Sequence, residues 1–382
     1  MKIGITCYPS YGGSGVVAAE LGIELAKRGH SVHFISYGLP FRLNRAHKNI
    51  FFHLVEVMDY PLFKYPPYTL SLSVKMSEVI ESQNLDILHV HYAMPHATSA
   101  YLAKKIVGED RIKFVTTLHG TDITLVGNHA SFFKITKFSI ENSYGITCVS
   151  QYLKDSTKEI FNISKEMRVI YNFVDTNKYK RDRKLDKEMS NKASHDDFNF
   201  IDYNDVIISH ISNFRPVKKV QNIIKAFCKI IRNVKAKLIL IGDGPEIKRC
   251  KILTEKLNLT DKVFFLWNLE NIIPVLSISD LYMLPSKSES FGLSALEALS
   301  CSVPVVGTKV GGLPEVVEDG VCGFLVDPDN VDELASSALG ILCDKDLKSK
   351  MSYEARRRAM LFDSSIIIPQ FLNYYNDVLK KG

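Results

Sequence analysis

The chain has a single tryptophan in 382 residues, no two cysteines at C-x-x-C spacing, no dense basic stripe and no long apolar run. A membrane span needs about 18–20 consecutive apolar residues, so no membrane segment is expected. Met1-Lys2-Ile3-Gly4 enters a strand at once, without signal-peptide zones, and a cytoplasmic location is expected. The seven cysteines, at 7, 148, 228, 250, 301, 322 and 343, stand singly and mostly in apolar runs. They read as small hydrophobes rather than zinc ligands or a redox pair. The net charge of +6 suits an anionic small ligand, but basic residues are not interleaved with aromatics in the way that nucleic-acid binding asks. No D-x-D pair stands at a plausible metal site, so neither a metal nor another cofactor is expected.

With 46% hydrophobic and 24% charged residues, the chain has the composition of a globular protein long enough for two cores. Short apolar strands alternate with amphipathic helices: strands at 2–7, 31–36, 86–91, 113–118 and 145–149, then again at 206–211, 237–241, 263–266, 280–284 and 303–307. This pattern predicts an α/β chain of two Rossmann-like, doubly wound parallel-sheet domains. The first is expected over 1–170 and the second over 171–365, with a hinge within 169–179 and a last helix, about 366–382, packing back on the first. A charged, apolar-poor stretch at about 180–205 reads as a flexible insertion. Ligands of such sheets bind beyond the carboxyl ends of the strands, so the expected site is the cleft between the two domains.

The glycine loop after the first strand contains Gly13-Ser14-Gly15-Val16-Val17-Ala18, which fits the dinucleotide fingerprint. Five residues separate Cys7 from Gly13, however, and the second strand ends without an acidic residue for a ribose. An NAD(P)-dependent oxidoreductase is therefore disfavoured. The loop and the helix after it still offer close backbone approach and a positive dipole end. Gly13 and Gly15 are expected near donor phosphates and Ser14 near an acceptor.

The second-domain string SESFGLSALEALSCSVPVV, 288–306, carries Glu289 and Glu297. A helix starting near Gly292 puts one carboxylate in the loop and the other one to two turns inside. Each then suits a different diol of one extended ligand, while the backbone of Ser290, Phe291, Gly292 and Leu293 faces a phosphate. Arg215, Lys218 and Lys219 cluster at a strand-to-helix turn and suit a diphosphate. In the first domain, His119 ends a strand in a glycine-containing loop and is a ligand candidate, whereas His89 and His91 read as structural rather than metal-binding. Arg42, Tyr65, Tyr68, Tyr92 and Lys137 are candidates for gripping a small carboxylate.

The 288–306 string, together with GDGPE at 242–246 and VGGLPEVVEDGVCGFLVDP at 310–328, resembles the E-x7-E region of retaining, two-domain GT-B glycosyltransferases of family 4. PFR (40–42), YPPY (65–68), HVHYAMPHATSAYLA (89–103) and TTLHGTDIT (116–124) resemble the branch of that group that joins N-acetylglucosamine to L-malate in bacillithiol synthesis. The resemblance implies UDP-N-acetylglucosamine as donor, L-malate as acceptor and a product of retained α configuration; a homo-oligomer is also possible in this reading. It implies Glu289 at the sugar hydroxyls, Glu297 at the ribose, Lys218 and Arg215 at the diphosphate, and His119 near the transferred sugar. The wider group carries its arginine five residues before the lysine, where this chain has Asn213, so Arg215 is displaced from the pattern. A family 4 enzyme with an envelope or lipid-linked acceptor is the alternative. The expected route is same-face attack by the malate hydroxyl, the leaving phosphate taking its proton.

Overall fold

Parallel neighbours need a crossover between them, and the helices between the apolar strands supply it. The structure, a computed structural model, describes residues 1–9, 12–43, 47–182, 202, 204–267 and 269–380. The chain divides into two compact units, Met1–Asn172 with Ser364–Gly382, and Phe173–Asp363. Residues 183–201 and 203 of the charged stretch lie outside the described residues.

In the first unit seven strands form one sheet in the order β3-β2-β1-β4-β5-β6-β7. They are β1 (Lys2–Thr6), β2 (Ser31–Ser36), β3 (Ile50–Leu54), β4 (Ile87–His91), β5 (Lys113–Leu118), β6 (Gly145–Cys148) and β7 (Arg168–Val169). All pairings are parallel, and Ile3 of β1 sits opposite both Val32 of β2 and Ile87 of β4. The chain builds outward from β1 to β3, then returns to the other side of β1 with β4. The second unit repeats this with β8 (Val206–Ile211), β9 (Ala236–Ile241), β10 (Val263–Leu266), β11 (Leu281–Leu284), β12 (Val305–Thr308) and β13 (Gly323–Val326), ordered β10-β9-β8-β11-β12-β13. Each sheet thus has one switch point, between β1 and β4 and between β8 and β11.

Strands β3, β7 and β13 escape the sequence pattern. The outer edge strand β3 leaves Phe51 and Leu54 exposed, β7 is two residues long, and β13 is the short arm of a glycine-rich turn. The unit boundaries fall two residues from the expected ones, at 172/173 and 363/364. The reason is local: the Arg356 guanidinium donates to the carbonyls of Thr176, Tyr179 and Ser300, and Asp363 accepts from the Thr176 amide and hydroxyl, which tie the connecting segment to the second unit. Among the described residues no helix is long and apolar enough to cross a membrane.

The last helix, Ser364–Lys380, belongs to the first unit. It buries Ile367, Ile368, Phe371, Tyr375 and Val378, and burial of a large apolar side chain contributes roughly 1.5–3 kcal/mol. Its polar anchor is the Tyr375 hydroxyl, 2.6 Å from Nδ1 of His89 in β4. Nε2 of His89 lies 2.6 Å from the Thr117 hydroxyl, which meets that of Thr147 at 2.6 Å. Both His89 nitrogens are thereby satisfied across three strands and the helix. Tyr375→Phe strands one of them in a fully buried position, and a loss of about 1–3 kcal/mol is expected in urea unfolding. Wild-type stability in that variant would mean that apolar packing alone holds the helix.

Candidate active site

At the β8–β11 switch point the two strand-end loops are joined by the Lys287 amide, which donates to the Val217 carbonyl at 2.7 Å. That brings Lys218 and Glu289, 71 residues apart, into an ion pair of 2.5 Å between Nζ and Oε1. The Ser286 hydroxyl donates to the same Oε1 at 2.8 Å, leaving Oε2 clear of any hydrogen bond among the described residues. Glu289 is only 8% exposed. Its carbonyl accepts from the Gly312 amide at 2.9 Å, and a Cβ on Gly311 (φ +57°) would lie 1.9 Å from that oxygen. Only glycine lets the second loop close over the first here.

Gly292, at φ +99°, precedes the helix Leu293–Ser300. Glu297 is buried inside that helix, so the two glutamates do not share one helical face. Phe291 is buried against Phe362, with ring centroids 5.7 Å apart, and offers the site its backbone rather than its ring; Ser290 and Leu293 are half-buried. The structure does not gather the three basic residues. Lys218 holds Glu289, Lys219 at positive φ holds Asp329 at 2.9 Å, and Arg215 is exposed before the turn Pro216–Lys218. The αL conformation of Lys219 turns successive side chains to different neighbours, which a run of basic letters does not disclose.

At the β1–β4 switch point, Gly12 caps the helix α1 (Gly13–Lys27). The Gly15 amide donates to the Gly12 carbonyl at 3.1 Å, so it is engaged in the first turn of the helix, while Gly13 is exposed. The Ser14 hydroxyl donates to that of Tyr92 at 3.1 Å, joining the first loop to the β4 loop. Tyr92 lies tilted against His119, with ring centroids 5.4 Å apart. His119 is partly exposed and its Nε2 is 2.8 Å from Nδ1 of buried His91. His96 donates from Nδ1 to the His91 carbonyl, and the Tyr68 hydroxyl approaches its Nε2 at 3.4 Å. Asp122 accepts from the amides of Ala93, His119 and Gly120 at 2.9–3.1 Å, fixing the β4 and β5 loops to each other.

Three acceptor candidates lie outside this cluster. Tyr65 is 75% exposed beside Lys64, on a loop that turns Tyr68 inward instead. Lys137 faces Glu141 along its own helix at 3.8 Å, and Arg42 packs over Phe41 and faces Glu20 at 3.9 Å. Tyr68, a candidate of the sequence reading, joins the cluster, and Tyr8, His91, His96 and Asp122 are members that the sequence reading did not select. Their one signal is position, since His91 and Asp122 lie at or just beyond the ends of β4 and β5.

Residues 11–178 match the family described as Glycosyltransferase Family 4, and residues 191–358 match Glycosyl transferases group 1. The chain is 48% identical, over 100% of its own length and 98% of the relative's, to N-acetyl-alpha-D-glucosaminyl L-malate synthase of Bacillus anthracis. In fold it matches a glycosyltransferase from Rickettsia africae (TM-score 0.78, 25% identity, 100% of this chain and 99% of that one). It likewise matches Anabaena HepE in complex with UDP and glucose (TM-score 0.82, 21% identity, 99% of each chain).

Burial keeps the histidines of the cluster uncharged. It pushes His89 and His119 down to about 3 and His96 to about 4, with His91 also well below the usual range, and it lifts Asp122 to about 6 against the pull of its three amides. The depressed histidines contribute stability that is full above about pH 6.5 and is lost as pH falls toward their folded values. Asp122 acts oppositely, its contribution being lost as pH rises through about 6. Four groups outweigh one, and buried His33 and His210, both lowered to about 4, add the same sign. The urea midpoint is therefore expected to fall between pH 7 and pH 5; a flat or rising midpoint would contradict this charge assignment.

Proposed function

Because the chain belongs to the family 4 glycosyltransferases, we propose that it transfers N-acetylglucosamine from UDP-N-acetylglucosamine to the hydroxyl of L-malate, the first step of bacillithiol synthesis. The observation that carries this reading is the end-to-end 48% identity to the Bacillus anthracis enzyme of that name. The second unit supplies the donor groups. With Oε1 of Glu289 occupied by Lys218 and Ser286, Oε2 is the acceptor for sugar hydroxyls. The Lys218 ammonium has three donors and spends one on Glu289, so two remain for diphosphate oxygens. Arg215 adds charge from its exposed position, and Glu297 serves the ribose.

The first unit supplies Ser14, Tyr92 and His119. Transfer proceeds with retention and without a metal: the malate hydroxyl attacks C1 on the face the diphosphate leaves, the C1–O bond to phosphate breaks, and the departing phosphate oxygen takes the hydroxyl proton. Lys218 and the helix start at Gly292 meet the charge that develops on UDP.

UDP release is the direct test, run in EDTA with L-malate, D-malate, inositol phosphate or no acceptor. Release that depends on L-malate and survives EDTA is expected. UDP-sugar binding without malate-dependent release would overturn the acceptor assignment, and loss of activity in EDTA the metal-free one. Lys218→Ala is expected to lower kcat by roughly 10²–10³-fold in the same assay; an unchanged kcat would remove Lys218 from the leaving-group site.

A further inference from the structure

His119 can meet a ligand in either of two neutral forms, and its neighbour decides which. The rings of His91 and His119 meet edge to edge, with Nδ1 of His91 2.8 Å from Nε2 of His119, centroids 5.0 Å apart and planes 25° apart. One proton lies between the two nitrogens. If it belonged to His119, neutral His91 would carry its own proton on Nε2. That nitrogen is buried and has no hydrogen-bond partner among the described residues, so an N–H group would be stranded away from water. His89, stacked on His91 at 4.5 Å, offers no relief, because both of its nitrogens are engaged by Tyr375 and Thr117. If the proton belongs to His91 Nδ1, only a lone pair is stranded at Nε2. Proteins leave acceptors under-satisfied more readily than they orphan buried N–H donors.

We infer that His91 is a positioning residue: its Nδ1–H donates to Nε2 of His119, which places the His119 proton on Nδ1 and aims a neutral N–H donor at an oxygen of the bound glycosyl donor. The inference rests on the reading above that the transferred sugar lies beside His119. No described residue bonds Nδ1 of His119, and that ring is partly exposed whereas His91 is fully buried. The opposite tautomer would turn a lone pair toward the ligand, exchanging a donor for an acceptor where a sugar hydroxyl or carbonyl oxygen arrives. Burial disfavours the imidazolium form of both rings, so the donor is a neutral ring.

Histidine side-chain ¹H–¹⁵N correlation spectra of the full chain read the tautomer directly, with His119→Gln used only to assign the ring. The expected wild-type His119 is protonated at Nδ1; protonation at Nε2 overturns the inference. In His91→Ala the His119 ring is expected to lose its fixed Nδ1–H form, and kcat to fall roughly ten- to hundredfold. His91→Asn, whose amide restores a donor near the Nδ1 position, is expected to recover most of both. A His119 ring that stays protonated at Nδ1 in His91→Ala also overturns the inference. Should the alanine variant fail to fold, the wild-type spectrum decides alone. The spectrum needs no substrate, so an Nδ1–H ring in a protein without malate-dependent turnover would sink the proposed function and leave the tautomer assignment standing.

Discussion

A parallel sheet that starts in its own middle must at some point reverse its direction of growth. Where it does, the two connections on either side run to opposite faces and leave a crevice at the strand ends. Both sheets here obey that constraint with the same strand order, growing outward from β1 or β8 and then restarting beside it. The chemistry follows. Ser14 and Tyr92 meet where β1 and β4 diverge, and Lys218 and Glu289 where β8 and β11 diverge. Neither pair is near in sequence, and each is assembled by the order in which strands are laid down.

The two switch points handle charge in contrasting ways. The one in the second unit keeps an ion pair at the rim of a buried loop, with one carboxylate oxygen uncommitted. The one in the first unit holds four neutral histidines beside an aspartate, closed into bonds with one another, with backbone amides and with side-chain hydroxyls. A site that must loosen a diphosphate needs fixed charge, whereas a site that orients hydroxyls needs fixed donors and acceptors. Each unit carries one of these.

Much of the fold was legible because apolar strands alternating with amphipathic helices have few other solutions. The strands that went unread are those where the period is too short or the edge too exposed to register, as in β7 and β3. In the site, Glu289, Gly292 and Lys218 were legible as a string that resembles a family. Their mutual contact was not, because no spacing rule predicts a bond across 71 residues. Tyr65 and Tyr68 are equivalent letters in YPPY; that Tyr68 turns inward while Tyr65 stays exposed is settled by packing against His96. The Tyr375–His89 bond, 286 residues apart, had no sequence signal at all.

The cysteines that looked merely apolar in the sequence have a practical side. Five are buried, with Cys7, Cys250 and Cys301 pushed up to about 12 by loss of solvent, Cys228 is half-buried, and Cys343 alone is exposed. A thiol held protonated and out of water neither attacks a disulfide nor is easily oxidised. The fold thus keeps its five buried thiols out of reach of small thiols and disulfides, and it offers the chemist one exposed handle, Cys343 at the end of a surface helix, for a dye or a tether.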